Sequence, residues 1–402
     1  LARQGHNVTV LTTVPNYPHG IVPPEYRGHV LQREEREGVQ VIRVWSYVAP
    51  NKGFLRRILA QFSFGCLAPL LAWKAVGQPE VVIVTSPPLF NVIAGRVFAW
   101  LKRCPLILRV ADLWPESAIQ LGMLRNPLLI HLAEWLEWST YQQAAFVWVV
   151  TEGIRSNLLQ RGLPPERICL LTNGVDCAQF APASKEQARA ELGWGEQFTV
   201  LYAGGHGISH GLDNVLNAAA QLLPYQDIRI VLVGDGAEKK HLLEQARRQN
   251  LTNVTFLDAQ PHERLPQLLA AADACLVHTR KVPLFQGMLP VKMYEAMACA
   301  RPIVLAMDGE ARQLAEQDAG AALYVEPENP TMLAETILHL RNSPALAQEM
   351  GARGRKLVES RFDHNQLAAT LSARVALLVR TQSAVAAPVA STPDITASGG
   401  ES

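Results

Sequence analysis

The chain has no Cys-x-x-Cys pair, no uncharged run long enough to span a membrane, no excess of either charge sign and no Asp-x-Asp at a strand end. Each absence removes a class of function. The six cysteines, Cys66, Cys104, Cys169, Cys177, Cys275 and Cys299, are scattered, and several sit in apolar runs. They are expected to be reduced and packed, which places the chain in the cytoplasm. The longest uncharged run covers residues 58–73 and contains Gln61, Gly65 and Pro69. It falls short of the roughly 20 apolar residues that a transmembrane helix needs. With 37 basic and 36 acidic residues the net charge is +1, so nucleic acid is not an expected partner. Without an acidic metal signature no metal is expected, and no cofactor. Residues 383–402 lack Lys and Arg and are rich in Ala, Ser, Thr, Pro and Gly, so this tail is expected to be disordered. No signal peptide is visible, and Leu1 to Gly5 reads as the end of a helix. An α/β protein should open on a strand, so the N-terminal strand and loop of the first domain are expected to be missing from the sequence.

What is present is globular material. The chain has 402 residues, 49% hydrophobic and 18% charged, which favours two domains. Short runs of Val, Ile and Leu alternate with helical stretches. Strands are expected at Val8–Thr13, Val39–Val44, Val81–Thr85, Leu106–Val110, Phe146–Thr151 and Ile168–Leu171. A second set is expected at Phe198–Ala203, Ile228–Val233, Val254–Leu257, Ala274–Val277, Pro302–Ala306 and Ala321–Val325. Most are continuously apolar, the mark of parallel strands covered on both faces. Two doubly wound α/β domains follow, 1–180 and 181–361, with a C-terminal helix at 362–380.

Ligands of such sheets bind at the carboxyl ends of strands. After Phe198–Ala203 stand Gly204, Gly205, His206, Gly207 and, further on, His210 and Gly211. Four glycines in eight residues make either a tight turn or a cradle of backbone N–H groups for a diphosphate, with the histidines as further donors. After Ile228–Val233, Gly234-Asp235-Gly236 lacks the third glycine of a dinucleotide fingerprint. It serves a strand-to-helix turn or touches a nucleotide. After Ala274–Val277 come Arg280 and Lys281, then Leu289-Pro290-Val291-Lys292 and Glu295. Pro290 suits a helix start. Lys292 and Glu295 are three apart and share one helix face. A Lys in a first turn opposes the helix dipole, which points to a bound anion; the alternative is a solvated Lys–Glu pair. In the first half, Asp112, Trp114 and Glu116 follow a buried strand and suit sugar hydroxyls and an apolar sugar face. Ser86 and Pro87 end another strand and are expected to line the same cleft.

Several pieces together carry a family resemblance: Gly5 to Thr12, Asn16-Tyr17-Pro18, Ser86 to Leu89, Asp112-Leu113-Trp114-Pro115-Glu116-Ser117, Asn173 to Asp176 with Phe180, Gly234 to Gly236, and Glu295 to Ala298. In this order they resemble the family 4 retaining glycosyltransferases of GT-B fold, especially the bacterial surface-polysaccharide branch containing L-fucosamine transferases. The resemblance implies that 1–180 binds acceptor, that 181–361 binds nucleotide-sugar, and that the C-terminal helix crosses back to the first domain. It also implies that Glu295 holds the donor ribose. The family's sugar-binding glutamate would fall at Gly287 and is absent, and its Arg and Lys pair after the first strand of the second domain would fall near Gly205 or His206 and near His210. Lys292 is then the expected diphosphate cation, assisted by the glycine loop and by Arg280 or Lys281.

These readings predict a metal-independent, retaining hexosyltransferase that takes a UDP-sugar and a polyprenyl-diphosphate-linked saccharide in O-antigen-type polysaccharide synthesis. The leaving phosphate takes the acceptor proton. Residues 51–74 carry Lys52, Arg56, Arg57 and Lys74 around apolar residues, so they serve as a core helix, as peripheral contact with the inner face of the plasma membrane, or as both. Rival readings are a UDP-sugar 2-epimerase of the same fold, a two-domain ligand-binding protein and a dinucleotide oxidoreductase.

Overall fold

The computed structural model describes residues 1–16, 20–48, 54–120 and 122–386. Tyr17, Pro18, Lys52 and residues 387–402 therefore lie outside the described residues, as does the Arg57 side chain.

The second half is the more regular. Its strands are β8 (Phe198–Ala203), β9 (Ile228–Val233), β10 (Val254–Leu257), β11 (Ala274–His278), β12 (Ile303–Ala306) and β13 (Ala322–Tyr324). They form one parallel sheet in the order β10-β9-β8-β11-β12-β13. β8 and β11 are neighbours in space though not in sequence, so the winding direction reverses between them. That reversal opens a crevice at their carboxyl ends. The inner strands β8, β9, β11 and β12 are buried because both faces are covered, and the edge strands β10 and β13 are largely half-buried. Helix α7 (Leu212–Leu222) shows how: Leu212, Val215, Leu216, Ala219 and Leu222 recur at helical spacing and bury one stripe against the sheet. Further cover comes from α8 (Lys239–Arg248), α9 (Leu265–Ala271), α10 (Val291–Ala298), α12 (Pro330–Arg341) and α13 (Pro344–Arg361), while α6 (Lys185–Leu192) leads into β8. The short α11 (Glu310–Arg312) follows β12.

The first half holds two sheets. Parallel strands β4 (Val82–Ser86), β5 (Leu106–Val110), β6 (Phe146–Val149) and β7 (Ile168–Leu170) lie in that order. β1 (Val8–Thr13) pairs in parallel with β3 (Val39–Val44), whose other edge carries β2 (Leu31–Arg36) antiparallel. Helices α1 (Phe54–Ala72) and α2 (Asn91–Lys102) join the sheets: Leu11 of β1 and Val82 of β4 pack in one cluster with Ala68, Ala72, Ala94 and Phe98. α3 (Glu116–Gln120), α4 (Pro127–Gln143) and α5 (Glu152–Gln160) complete this half.

The expected strands are observed with their ends shifted by at most two residues. Phe146 to Thr151 stops at Val149 because the Thr151 hydroxyl caps α5, accepting from Ile154 N at 3.2 Å. One strand was not expected: β2, Leu-Gln-Arg-Glu-Glu-Arg, reads as a charged loop. It is an edge strand, and its Glu34 accepts from Arg43 across the hairpin, from Arg36 on its own strand and from the Tyr26 hydroxyl.

The last helix, α14 (His364–Ala386), leaves the second half. Its Leu367, Leu371, Val375 and Leu378 pack on Ile107, Phe146, Cys169 and Leu171 of the first half. His6 Nε2 meets Ser372 Oγ at 2.6 Å. The six cysteines are unpaired. No helix of the described residues is long and apolar enough to cross a membrane.

Candidate active site

The crevice at β8 and β11 holds a buried ammonium. Pro290 is the residue preceding α10, and Lys292 lies in that helix's first turn. Its side chain runs inward, so the solvated Lys–Glu pair is excluded. Lys292 Nζ has no hydrogen-bond partner and stands 4.0 Å from the centre of the Tyr202 ring. Burial lowers its pKa to about 8, and Glu295 opposes that shift. The Tyr202 hydroxyl donates to Gly205 O at 2.8 Å and makes no hydrogen bond to the ammonium. Gly204, at φ +157°, holds a backbone conformation that favours glycine, and a methyl group on it would come 2.7 Å from Lys292 Nζ.

Two histidines complete the pocket. His206 is wholly buried, and burial with the charges of Lys239 and Lys292 lowers its pKa to about 4. His210 is lowered to about 4 as well, by burial and by Lys292, and its Nδ1 has no partner. Both rings are neutral near pH 7, so each offers at most one N–H. The Lys292 ammonium thus stands beside two neutral imidazoles that can act as donors.

Gly234 and Gly236 have a packing role. A methyl on Gly234 would lie 1.9 Å from Gly204 O, and one on Gly236 2.4 Å from His206 O. The two loops interlock through His206 N to Asp235 O at 2.8 Å and Glu238 N to His206 O at 2.9 Å. Asp235 accepts from Gly236 N at 2.8 Å. Arg280 and Lys281 are both committed to carboxylates. Arg280 pairs with Asp213 and Glu328 at 2.9 and 3.0 Å and braces the glycine loop through Ile208 O. Lys281 pairs with Glu326 at 2.6 Å. Leu289 is buried in the core, whereas Val291 is exposed.

Glu295, three residues after Lys292, is buried and its Oε1 accepts from His262 Nε2 at 3.0 Å. Lys292 and Glu295 line one small cavity with Leu201, Ala203, Leu265 and Val277. His262 was not singled out in the sequence, and nothing marks it there: it sits beyond β10, 33 positions from its partner. Tyr202 was missed too, although a Tyr ending an aliphatic strand beside a glycine loop is a readable signal.

In the first half, β4 and β5 pair with Ser86 opposite Val110, and Ala111 N donates to Ser86 O at 2.8 Å. Ser86, Pro87 and Asp112 thus end on adjacent strands. Burial raises the Asp112 pKa, against hydrogen bonds from Ser117 and Leu113 N. Trp114 packs edge-on to Phe90 at 6.3 Å. Glu116 accepts from Gln120 at 3.1 Å and from Asn157 of α5 at 3.4 Å. The halves meet where Glu310 reaches α5, accepting from Glu152 N at 3.0 Å and from Gly153 N.

Comparison with known proteins fits this arrangement. Residues 1–174 match the model of the glycosyl transferase 4-like domain, and residues 184–357 match glycosyl transferases group 1. A putative colanic acid biosynthesis glycosyl transferase of Escherichia coli K12 is 29% identical over 351 residues, covering 84% of each chain. Sucrose-phosphate synthase of Thermosynechococcus elongatus shares the fold with a TM-score of 0.71 at 21% identity, over 96% of this chain and 91% of that one. Anabaena HepE, solved with UDP-glucose, gives a TM-score of 0.65 at 20% identity, over 92% and 100%. With one family model on each half, two Rossmann-like domains and a shared architecture, the chain is a family 4 glycosyltransferase of GT-B fold.

Proposed function

We propose that this enzyme transfers a hexose-type sugar, with retention, from a UDP-sugar to a polyprenyl-diphosphate-linked saccharide in cell-surface polysaccharide synthesis. The carrying observation is the buried, unpartnered Lys292 ammonium at the crevice, with two helix N-termini beside it. A buried charge without a partner is costly, and a diphosphate supplies what it lacks. The colanic acid relative and the UDP-bound neighbour support the same reading.

The anomeric carbon–oxygen bond to the diphosphate breaks, and the acceptor oxygen bonds to that carbon on the same face. The acceptor proton passes to the departing phosphate. Lys292, the N–H of Gly205, and His206 and His210 stabilise the developing charge without reorganising. Glu295 holds the ribose, oriented by His262. Gly234 to Gly236 shape the loop that borders the nucleotide. Asp112 and Glu116 orient acceptor hydroxyls, Trp114 offers an apolar face, and Ser86 and Pro87 line the rim.

The first half also exposes apolar side chains, supporting contact with the inner membrane face: Leu59, Phe62, Leu70 and Trp73 near α1, and Leu128, Leu132 and Trp135 along α4. Liposome flotation should fall when Leu128, Leu132 and Trp135 become Ser, and unchanged flotation would remove membrane contact from the proposal.

The main test is a panel of UDP-sugars, UDP-N-acetyl-L-fucosamine first, with a polyprenyl-linked acceptor, read by mass and anomeric NMR. A product of retained configuration is expected. Free epimer formed from donor alone would overturn the transferase reading in favour of an epimerase.

A further inference from the structure

Helix α5 begins with donors that its own cap cannot satisfy. Thr151 takes Ile154 N, leaving the N–H groups of Glu152 and Gly153. The Glu152 carboxylate does not turn back to them, since it pairs with Arg155 at 2.6 Å. Both are taken by a residue of the opposite domain. Glu310 spends one carboxylate oxygen on Glu152 N at 3.0 Å and the other on Gly153 N. A carboxylate at a helix N-terminus also meets the positive end of the helix dipole.

Glycines line this contact, and Gly153 is the one that makes room for it. A methyl on Gly153 would come 2.8 Å from Glu310 Oε1 and 3.0 Å from Gly287 Cα. One on Gly287 would lie 3.5 Å from Gly153 Cα. Gly309, at φ +75°, would place a methyl 2.0 Å from Gln286 O. Loops after β11 and β12 of one domain and the start of α5 of the other therefore approach closely at Gly153, Gly287 and the Glu310 carboxylate.

The same helix reaches the acceptor side. Asn157, one turn along α5, donates to Glu116 at 3.4 Å. A chain of contacts thus runs from the loop after β12, through Glu310 and α5, to Glu116.

We infer that Glu310 is a positioning residue: it ties the two domains across the cleft and sets the distance between the Lys292 side and the Glu116 side. The assignment of those two sides rests on the function proposed above. A tie of this kind leaves nucleotide binding to one domain largely intact and acts on the step that needs both.

Hydrogen exchange read by mass spectrometry on the full chain tests the contact directly. In Glu310→Ala, the amides of Glu152 and Gly153 should exchange roughly tenfold faster or more, with those of Leu158 and Leu159 unchanged. UDP is the binding probe, and its affinity should stay within about twofold, while kcat for transfer falls roughly ten- to a hundredfold. Glu310→Gln keeps one acceptor oxygen and should fall between Ala and wild type. Unchanged exchange at Glu152 and Gly153, or unchanged kcat, would overturn the tie. Loss of UDP affinity with unchanged exchange would also overturn it, making Glu310 a donor contact instead. A wild-type protein that bound no UDP would refute the donor reading and leave exchange to decide the tie alone.

Discussion

Lys292 Nζ faces the Tyr202 ring at 4.0 Å and has nothing else to bind. A cation over a desolvated aromatic ring gains about 2 kcal/mol, less than the several kcal/mol that burying an unpaired ion costs. The free protein therefore holds a stored cost at this position. Lys292→Met keeps the length and removes the charge, so it should raise the melting temperature of the unliganded protein. It should also abolish the stabilisation that UDP gives the wild type. Thermal unfolding with and without UDP measures both, and a less stable Met variant that UDP still stabilises would contradict the assignment.

The pH dependence follows from the same group. The folded pKa is lowered from 10.5 to about 8, so the free protein loses the ammonium's proton as pH rises through 8. Bound diphosphate favours the charged form and raises that pKa. UDP affinity should thus be full below pH 8 and fall by up to about tenfold per pH unit above it. Calorimetry from pH 7 to 10 shows this as proton uptake on binding. Lys292→Met should have a flat profile over that range, and the wild type must not.

Gly234→Ala and Gly236→Ala test packing against ligand contact. Each added methyl would run into the backbone of the glycine loop, at Gly204 O or His206 O. Each should destabilise the protein by roughly 1–3 kcal/mol even without nucleotide. Denaturant unfolding of the free variants decides it, since a defect confined to UDP binding would mean the loops do not interlock as described.

Glu295→Gln should weaken UDP by about tenfold and leave 2′,3′-dideoxy-UDP unaffected, because the lost partner is a ribose hydroxyl. His262→Ala should shift the same ratio in the same direction and by less, since it acts through Glu295. Equal losses for both nucleotides would argue for a general disturbance of α10.

Much of this was readable in the sequence because burial on two faces writes itself as unbroken apolar runs. β8 and β9 have the expected limits for that reason. β2 escaped because an edge strand needs no such run: Glu34 and Arg43 neutralise each other only after the hairpin has formed. Lys292 was legible as a residue against its local preference. Arg280 and Lys281 looked equally available, yet their carboxylate partners sit on other loops, at Asp213, Glu326 and Glu328, which spacing does not reveal. Glu310 was invisible for a deeper reason. Its partners are backbone N–H groups 157 and 158 positions away, and a backbone group carries no sequence signature.

α14 follows the second half in the chain and packs on the first. Until Leu367, Leu371 and Val375 emerge, the apolar surface formed by Ile107, Phe146, Cys169 and Leu171 has no cover. During synthesis the second domain can close its own core while the first waits, so the order of completion reverses the order of translation. A chain interrupted after Leu171 and before His364 would present that surface to chaperones and proteases, and cells would meet the failure as a missing first domain although its own segment had been translated in full.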